Sequence, residues 1–211
     1  MHLELLSVNI AKPEPIATKS GSTGIFKRPA ADAVHVGPIG LEGDAIVDLA
    51  NHGGADQAVY LYFREDYIWW ERELARALSP GEFGENLTVA GLESATVMVG
   101  DQFRFGSVLL EATSPRIPCN TFAVRMGDPH FVKRFMAARR PGIYCRVLKT
   151  GSITAGAVAY MIPFAGQKVG MLELFESYPF ASVEPEHRQR YLSVPLHGKL
   201  AAFLRGESGK P

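Results

Sequence analysis

The chain has 211 residues, of which 46% are hydrophobic and 21% are charged, and its formal net charge is zero. This length and composition predict an ordinary globular protein with one sizeable core. The balanced charge gives no reason to expect a nucleic acid polymer or an acidic membrane surface as a partner, and no stretch approaches the roughly 20 apolar residues of a membrane span.

Short segments rich in β-branched and aromatic residues, separated by glycines, follow a first predicted strand at residues 3–10. The further predicted strands cover residues 58–62, 96–99, 102–105, 107–112, 142–148 and 157–162. This succession of short strands and tight turns is typical of a β-rich domain, either a sandwich or a barrel.

Helical periodicity interrupts the strands and dominates the end of the chain. The predicted helices are residues 64–78, 119–126, 128–139, 171–177, 185–192 and 196–204. The third should begin with Asp128 as its N-cap and Pro129 as its first residue. We therefore predict a mixed, β-rich α+β protein, with a β domain at residues 1–165 and a small three-helix appendage at residues 166–211.

Cys119 is the residue most clearly placed for chemistry. It follows Pro115, Arg116 and Pro118 and opens a predicted helix. A thiol reacts or binds metal as its thiolate, which a nearby guanidinium and a helix N-terminus both stabilise. The two prolines stiffen the loop that presents the sulfur. Cys145 is the second of only two cysteines in the chain, which are too few for a disulfide framework. Because no signal peptide is evident either, we expect a cytoplasmic protein.

His52 stands before Gly53 and Gly54, where the backbone can approach a ligand closely. The alternative is a turn histidine that hydrogen-bonds a carboxylate such as Asp48 or Asp56, and for this segment alone the alternative is favoured.

Two further segments offer binding groups. Asn86 carries a donor and an acceptor that suit the edge of a heterocycle, or that close a turn. Lys27 and Arg28 suit a phosphate, or form a solvated basic pair. Seven bases and no acid lie between Pro129 and Leu172. Such a run is usually a solvated face, but it leaves room for an anionic ligand.

The absence of several known sequence motifs makes some kinds of site less probable. The chain lacks the zinc motifs CxxC and HExxH and the nucleotide motifs GxxxxGK[ST] and GxGxxG. A Cys–His hydrolase that uses Cys119 with His52, His35 or His130 stays open. A thiolate without a nearby histidine would instead favour a soft metal.

Taken in order, five segments resemble the MOSC family, named after the C-terminal domain of molybdenum cofactor sulfurases, and in particular its stand-alone, YiiM-like bacterial branch. The segments are residues 40–44, 52–60, 83–87, 100–101 and 115–119. The resemblance covers residues 25–204 and implies a MOSC-type β-barrel with peripheral helices and a three-helix tail. The sequence departs from the usual pattern of the family at two places. Residues 153–157 lack the Gly-Asp that relatives more often show, and Gln57 stands where a lysine is frequent.

The resemblance also implies a site. Cys119 would ligate the molybdenum of a pterin cofactor, with Arg116 beside it and His52 as a further catalytic residue. The cofactor-binding residues would be Lys27, Arg28, Gly53, Gly54, Asn86, Arg116 and Arg140. Of these, Lys27, Arg28 and Arg140 would lie near the pterin phosphate, in an electropositive pocket.

The activity implied is reduction of N-hydroxylated compounds such as hydroxylaminopurines and amidoximes. Electrons would come from a separate reductase, because the sequence has no iron–sulfur, flavin or dinucleotide motif. Pyridoxal phosphate binding and a homodimer are further expectations. The alternatives are a non-catalytic cofactor carrier and a metal-free, cysteine-dependent transferase or hydrolase.

Overall fold

The computed structural model describes residues 1–49 and 52–209. Its strands are β1 (His2–Ile10), β2 (Glu14–Pro15), β3 (Ser22–Thr23), β4 (Arg28–Pro29), β5 (Val34–Gly37), β6 (Gly40–Leu41), β7 (Val59–Phe63), β8 (Leu87–Ala90), β9 (Gln102–Phe105), β10 (Val108–Pro115), β11 (Ile143–Lys149), β12 (Gly151–Ile153) and β13 (Val158–Ile162). Its helices are α1 (Arg64–Leu74), α2 (Asn120–Met126), α3 (Phe131–Ala138), α4 (Met171–Glu176), α5 (Pro185–Leu192) and α6 (Gly198–Arg205).

Seven of these strands form a closed barrel in the order β13-β9-β10-β11-β7-β8-β1, with β1 pairing back onto β13. The pairing of β7 with β8 is parallel and the other barrel pairings are antiparallel. Closure leaves the barrel without a free edge. Apolar side chains fill its interior, and the predicted β-rich α+β class and barrel are confirmed.

A second, aromatic core lies outside the barrel. On β7, Leu61 points into the barrel, whereas Tyr60 and Tyr62 point into this second core, as the two-residue period of a strand requires. Trp70 of α1 stacks on Phe135 of α3 with ring centroids 5.9 Å apart. The aromatic core fixes α1, α2 and α3 against the barrel wall.

The C-terminal helices α4, α5 and α6 pack onto the barrel. Leu174, Tyr191, Leu200 and Leu204 belong to the same buried cluster as the barrel interior. The three predicted C-terminal helices are therefore present, while the domain boundary at residue 165 stays a prediction. No helix within the described residues is long and apolar enough to cross a bilayer.

Three local predictions differ from the structure. Residues 96–99 form no strand of the barrel, because Val99 donates its N–H to Val169 in the segment leading to α4. Helix α1 ends at Leu74, since Ala75 takes a left-handed conformation with φ of 51°. Helix α3 starts at Phe131; the Asp128 carboxylate accepts the backbone N–H of residue 130 in the preceding turn.

Candidate active site

An open cavity of about 790 Å³, measured out to its mouth, lies where the loops before β7 meet the segment that joins β10 to α2. The side chains that line it include Ser22, Thr23, Ile25, Lys27, Asp44, Ile46, Val47, Asp48, His52, Gln57, Tyr60, Asn86, Arg116, Cys119, Thr121 and Tyr144, and Gly53 contributes backbone.

Cys119 is the N-cap residue of α2, and its half-buried thiol reaches this cavity. Burial raises the pKa of the thiol. A hydrogen bond with the His52 side chain, the charge of Arg116 and the backbone N–H of Phe122 together lower the pKa further than burial raises it, to about 6. Cys119 is therefore mainly a thiolate at neutral pH, and the structure brings His52, Arg116 and Cys119 together.

Arg116 is a buried cation beside that sulfur. The residue is only 4% exposed, and its guanidinium carbon lies 3.9 Å from the ring centroid of Phe122 and 5.4 Å from that of Tyr60. Its Nη1 has no hydrogen-bond partner among the described residues. The guanidinium therefore stabilises the thiolate and retains a donor that a bound anion or polar ligand could use.

Lys27 and Asn86 line the cavity, but protein groups occupy their polar atoms. Lys27 Nζ lies 2.5 Å from Asp44 Oδ2, and Asn86 Nδ2 donates to the same carboxylate oxygen at 2.8 Å. Asn86 Oδ1 accepts the N–H of Tyr60 at 3.1 Å. Asn86 thus ties the loop to β7 and presents no free heterocycle-binding edge. Burial lowers the pKa of Lys27, and the charge of Asp44 opposes this shift.

Two predicted phosphate ligands lie elsewhere. Arg28 is exposed and pairs with Glu14, while Arg140 binds buried Asp66 at 2.7 Å and lies over the Trp69 ring. Neither arginine lines the cavity, and Gly54 does not line it either. The structure thus places Arg28 against Glu14 and Arg140 against Asp66, outside this cavity, and their role toward a phosphate stays a prediction.

The cavity also lacks the expected excess of positive charge, because acidic groups in its lining offset the cations. Among the charged lining groups, Asp44 offsets Lys27 and the Cys119 thiolate offsets Arg116, and Asp48 adds a further acid. An anionic ligand would depend on the free donor of Arg116 and on backbone and hydroxyl groups rather than on a field of excess positive charge.

The sequence did not lead us to assign Tyr60 and Tyr144 to the site, and it pointed to Gln57 only as a departure from relatives at the pocket rim. The rings of Tyr60 and Tyr144 lie 5.1 Å apart in the wall, and buried Gln57 Oε1 has no partner among the described residues. The period of β7 could have shown that Tyr60 and Tyr62 share a face. Tyr144 comes from a strand 80 residues away, and no local pattern signals it.

The rate at which iodoacetamide alkylates Cys119 should follow an ionisation with a midpoint near pH 6, since the thiolate is the reacting form. Below the midpoint the thiol holds its proton, so the rate should fall about tenfold per pH unit. Cys145 is fully buried and burial raises its pKa, so it should stay unmodified. His52→Gln should move the midpoint upward. A wild-type midpoint near the ordinary value of about 8.5 would contradict the assignment.

Comparison with known proteins identifies relatives. A profile of the MOSC domain matches residues 48–160. The uncharacterized protein YflK of Bacillus subtilis is 43% identical over 155 residues, which cover 72% of this chain and 70% of YflK. A protein of Gibberella moniliformis named "Reductase" is 33% identical over 139 residues, or 64% of this chain but only 25% of that protein. The crystal structure of YiiM from Geobacillus stearothermophilus superposes with a TM-score of 0.80 at 26% identity, covering 97% of this chain and 98% of YiiM.

Proposed function

The chain belongs to the MOSC domain family, and from that premise we propose that it holds a molybdenum cofactor through Cys119 and reduces N-hydroxylated compounds. The observation that carries the proposal is the position of the Cys119 sulfur, which opens onto this cavity beside Arg116 and His52, two groups that lower its pKa. The fungal relative named "Reductase" supports the reaction class, and the activity of this chain is our inference.

The residues around the cavity fit such a group. No cluster of three histidine, cysteine or acidic residues able to bind a metal occurs within residues 1–49 and 52–209, so the described side chains do not complete a metal site by themselves. A metal that arrives with the sulfur ligands of its own pterin needs one soft donor from the protein, and Cys119 supplies it. The unpaired Nη1 of Arg116 offers a hydrogen bond to a ligand beside that sulfur.

A cofactor held by Cys119 would supply the two-electron redox chemistry for removing the oxygen of an N–OH group. Reduction of N–OH to N–H consumes two electrons and two protons and releases water. The chain itself holds the sulfur in a fixed position at the start of α2. In this proposal His52, which contacts that sulfur, would deliver a proton to the departing oxygen. Arg116 keeps positive charge beside the ligand sulfur.

The electrons must come from a separate reductase in this proposal, since the sequence shows no second redox motif. The cytoplasmic location, a homodimer and pyridoxal phosphate binding stay predictions.

The proposal is tested on protein made in a host that synthesises the cofactor. We expect close to one molybdenum per chain, and reduction of hydroxylaminopurine or benzamidoxime when a chemical reductant supplies electrons. Molybdenum without turnover would favour the non-catalytic carrier. Protein that stays free of metal under these conditions, yet still reduces the substrates, would refute the proposal.

A metal-free, cysteine-dependent transferase or hydrolase is the second candidate. The observation that favours it is the hydrogen bond between His52 and Cys119, because a Cys–His pair is also the arrangement of a nucleophilic thiolate. A turnover that needs no molybdenum, and that iodoacetamide abolishes, would establish this candidate in place of the first.

A further inference from the structure

We propose that Asp56 is a positioning residue. Its contacts on the side away from the cavity hold one cavity wall in place and connect that wall to helix α6. The segment at residues 52–57 carries His52, Gly53 and Gln57 in the cavity wall. The inference rests on the proposed function only in taking this cavity as the functional one.

The backbone of this segment holds itself only in part: His52 donates its N–H to the carbonyl of Asp48 at 2.9 Å, and Gln57 donates its N–H to that of Gly54 at 3.1 Å. Gly53 and Gly54 both have positive φ, at 78° and 85°, a conformation that glycine adopts far more readily than other residues. A short 3-10 turn, Ala55–Gln57, follows. The contacts of that turn therefore anchor the segment on the C-terminal side of the two glycines and help to set where His52 and Gln57 stand relative to Cys119.

Asp56 makes those contacts. Its Oδ2 accepts the N–H of Gly198, the first residue of α6, at 2.7 Å, and its Oδ1 accepts from Arg146 Nε at 2.9 Å. Its own carbonyl accepts from buried Thr113 Oγ1 at 2.6 Å. One residue thus joins the turn to the barrel strands β10 and β11 and to the C-terminal helix.

We call these contacts of Asp56 the Asp56 clamp. Further hydrogen bonds hold the residues at the start of α6 in the same place. Arg146 Nη2 donates to the carbonyl of Leu196 at 2.8 Å, and His197 donates its N–H to the carbonyl of Thr113 at 3.1 Å. A Cβ on Gly198 would lie 3.0 Å from Asp56 Oδ2, closer than nine in ten real contacts. The residues before α6 therefore bring its first N–H against the carboxylate.

The test compares Asp56→Ala with the matched control Glu111→Gln in the metal-free, full-length protein. Glu111 is the other carboxylate that binds Arg146, at 3.2 Å, but it does not touch the turn. We expect Asp56→Ala to speed amide exchange at residues 53–58 about fivefold to tenfold, the effect of one or two lost hydrogen bonds. The ring signal of His52 in a carbon–proton correlation spectrum should shift, while those of His2 and His187 stay.

Glu111→Gln should leave both readouts unchanged. If Asp56→Ala does not fold, Asp56→Asn and Gly198→Ala should give the same local pattern, the latter by crowding the carboxylate without removing its charge. The proposal is overturned if exchange at residues 53–58 and the His52 signal do not respond, or if Glu111→Gln changes them equally. Because no measurement involves molybdenum, failure here leaves the proposed function standing, and failure of the cofactor assignment leaves the clamp standing.

Discussion

Replacement of Cys119 by serine is expected to lower the molybdenum content of the purified protein at least tenfold and the reductase activity about a hundredfold or more. Loss of groups that merely support a metal ligand typically costs about 10–100-fold, and loss of the ligand itself should cost at least as much. A serine hydroxyl keeps its proton at neutral pH and offers a hard oxygen where the proposal requires a soft sulfur. Elemental analysis and benzamidoxime reduction measure the two effects.

Cys145→Ala is the matched control, since it removes the only other sulfhydryl of the chain. Cys145 belongs to the barrel interior, and Cys119 packs against the aromatic core outside it. The control should therefore keep its molybdenum, apart from a modest loss of stability. Equal metal content in wild type and Cys119→Ser would show that the sulfur is not the ligand.

The sequence predicts the parts of this fold that depend on local pattern. Residues 102–105 and 185–192 form the predicted strand and helix with the predicted bounds, because alternation, a proline at the helix start and turn glycines are all local signals. Residues 96–99 carry the same β-branched signal, but their partner is the segment before α4, about 70 residues further on. A strand's partner is a property of the tertiary structure.

For the site, too, the sequence shows the local features but not the contacts between distant parts of the chain. The stiff segment before Cys119 and the glycines after His52 are visible as motifs, and the structure places both residues together. The partners of the basic residues are not visible. Arg140 binds an aspartate 74 positions away, and Arg146 binds one 90 positions away. The sequence of this run of seven bases therefore leaves room for an anionic ligand, although four of the bases pair with acids elsewhere in the chain.

Removal of the Asp44 carboxylate is expected to lower the free energy of unfolding by about 3–5 kcal/mol, the range for breaking a buried ion pair from one side. The side chains of Lys27 and Asp44 are only 8% and 5% exposed. Asp44→Ala would leave the ammonium group buried without its partner. It would also remove the acceptor for the N–H of Ala11, at 2.9 Å, and for Asn86 Nδ2. Urea unfolding measures the loss.

The variant Lys27→Met distinguishes two roles of Lys27, as the partner of Asp44 in a buried ion pair and as a positive charge that binds a ligand. This variant leaves the Asp44 carboxylate two N–H donors, so it should cost less than Asp44→Ala. The double variant Lys27→Met/Asp44→Ala should cost less than the sum of the two single variants. Strictly additive costs would show that the two charges are not coupled. Because Asp44 already offsets Lys27, Lys27→Met should lower the molybdenum content only as far as it lowers stability. A variant that stays folded but loses its metal would instead show that the ammonium group acts on the cofactor.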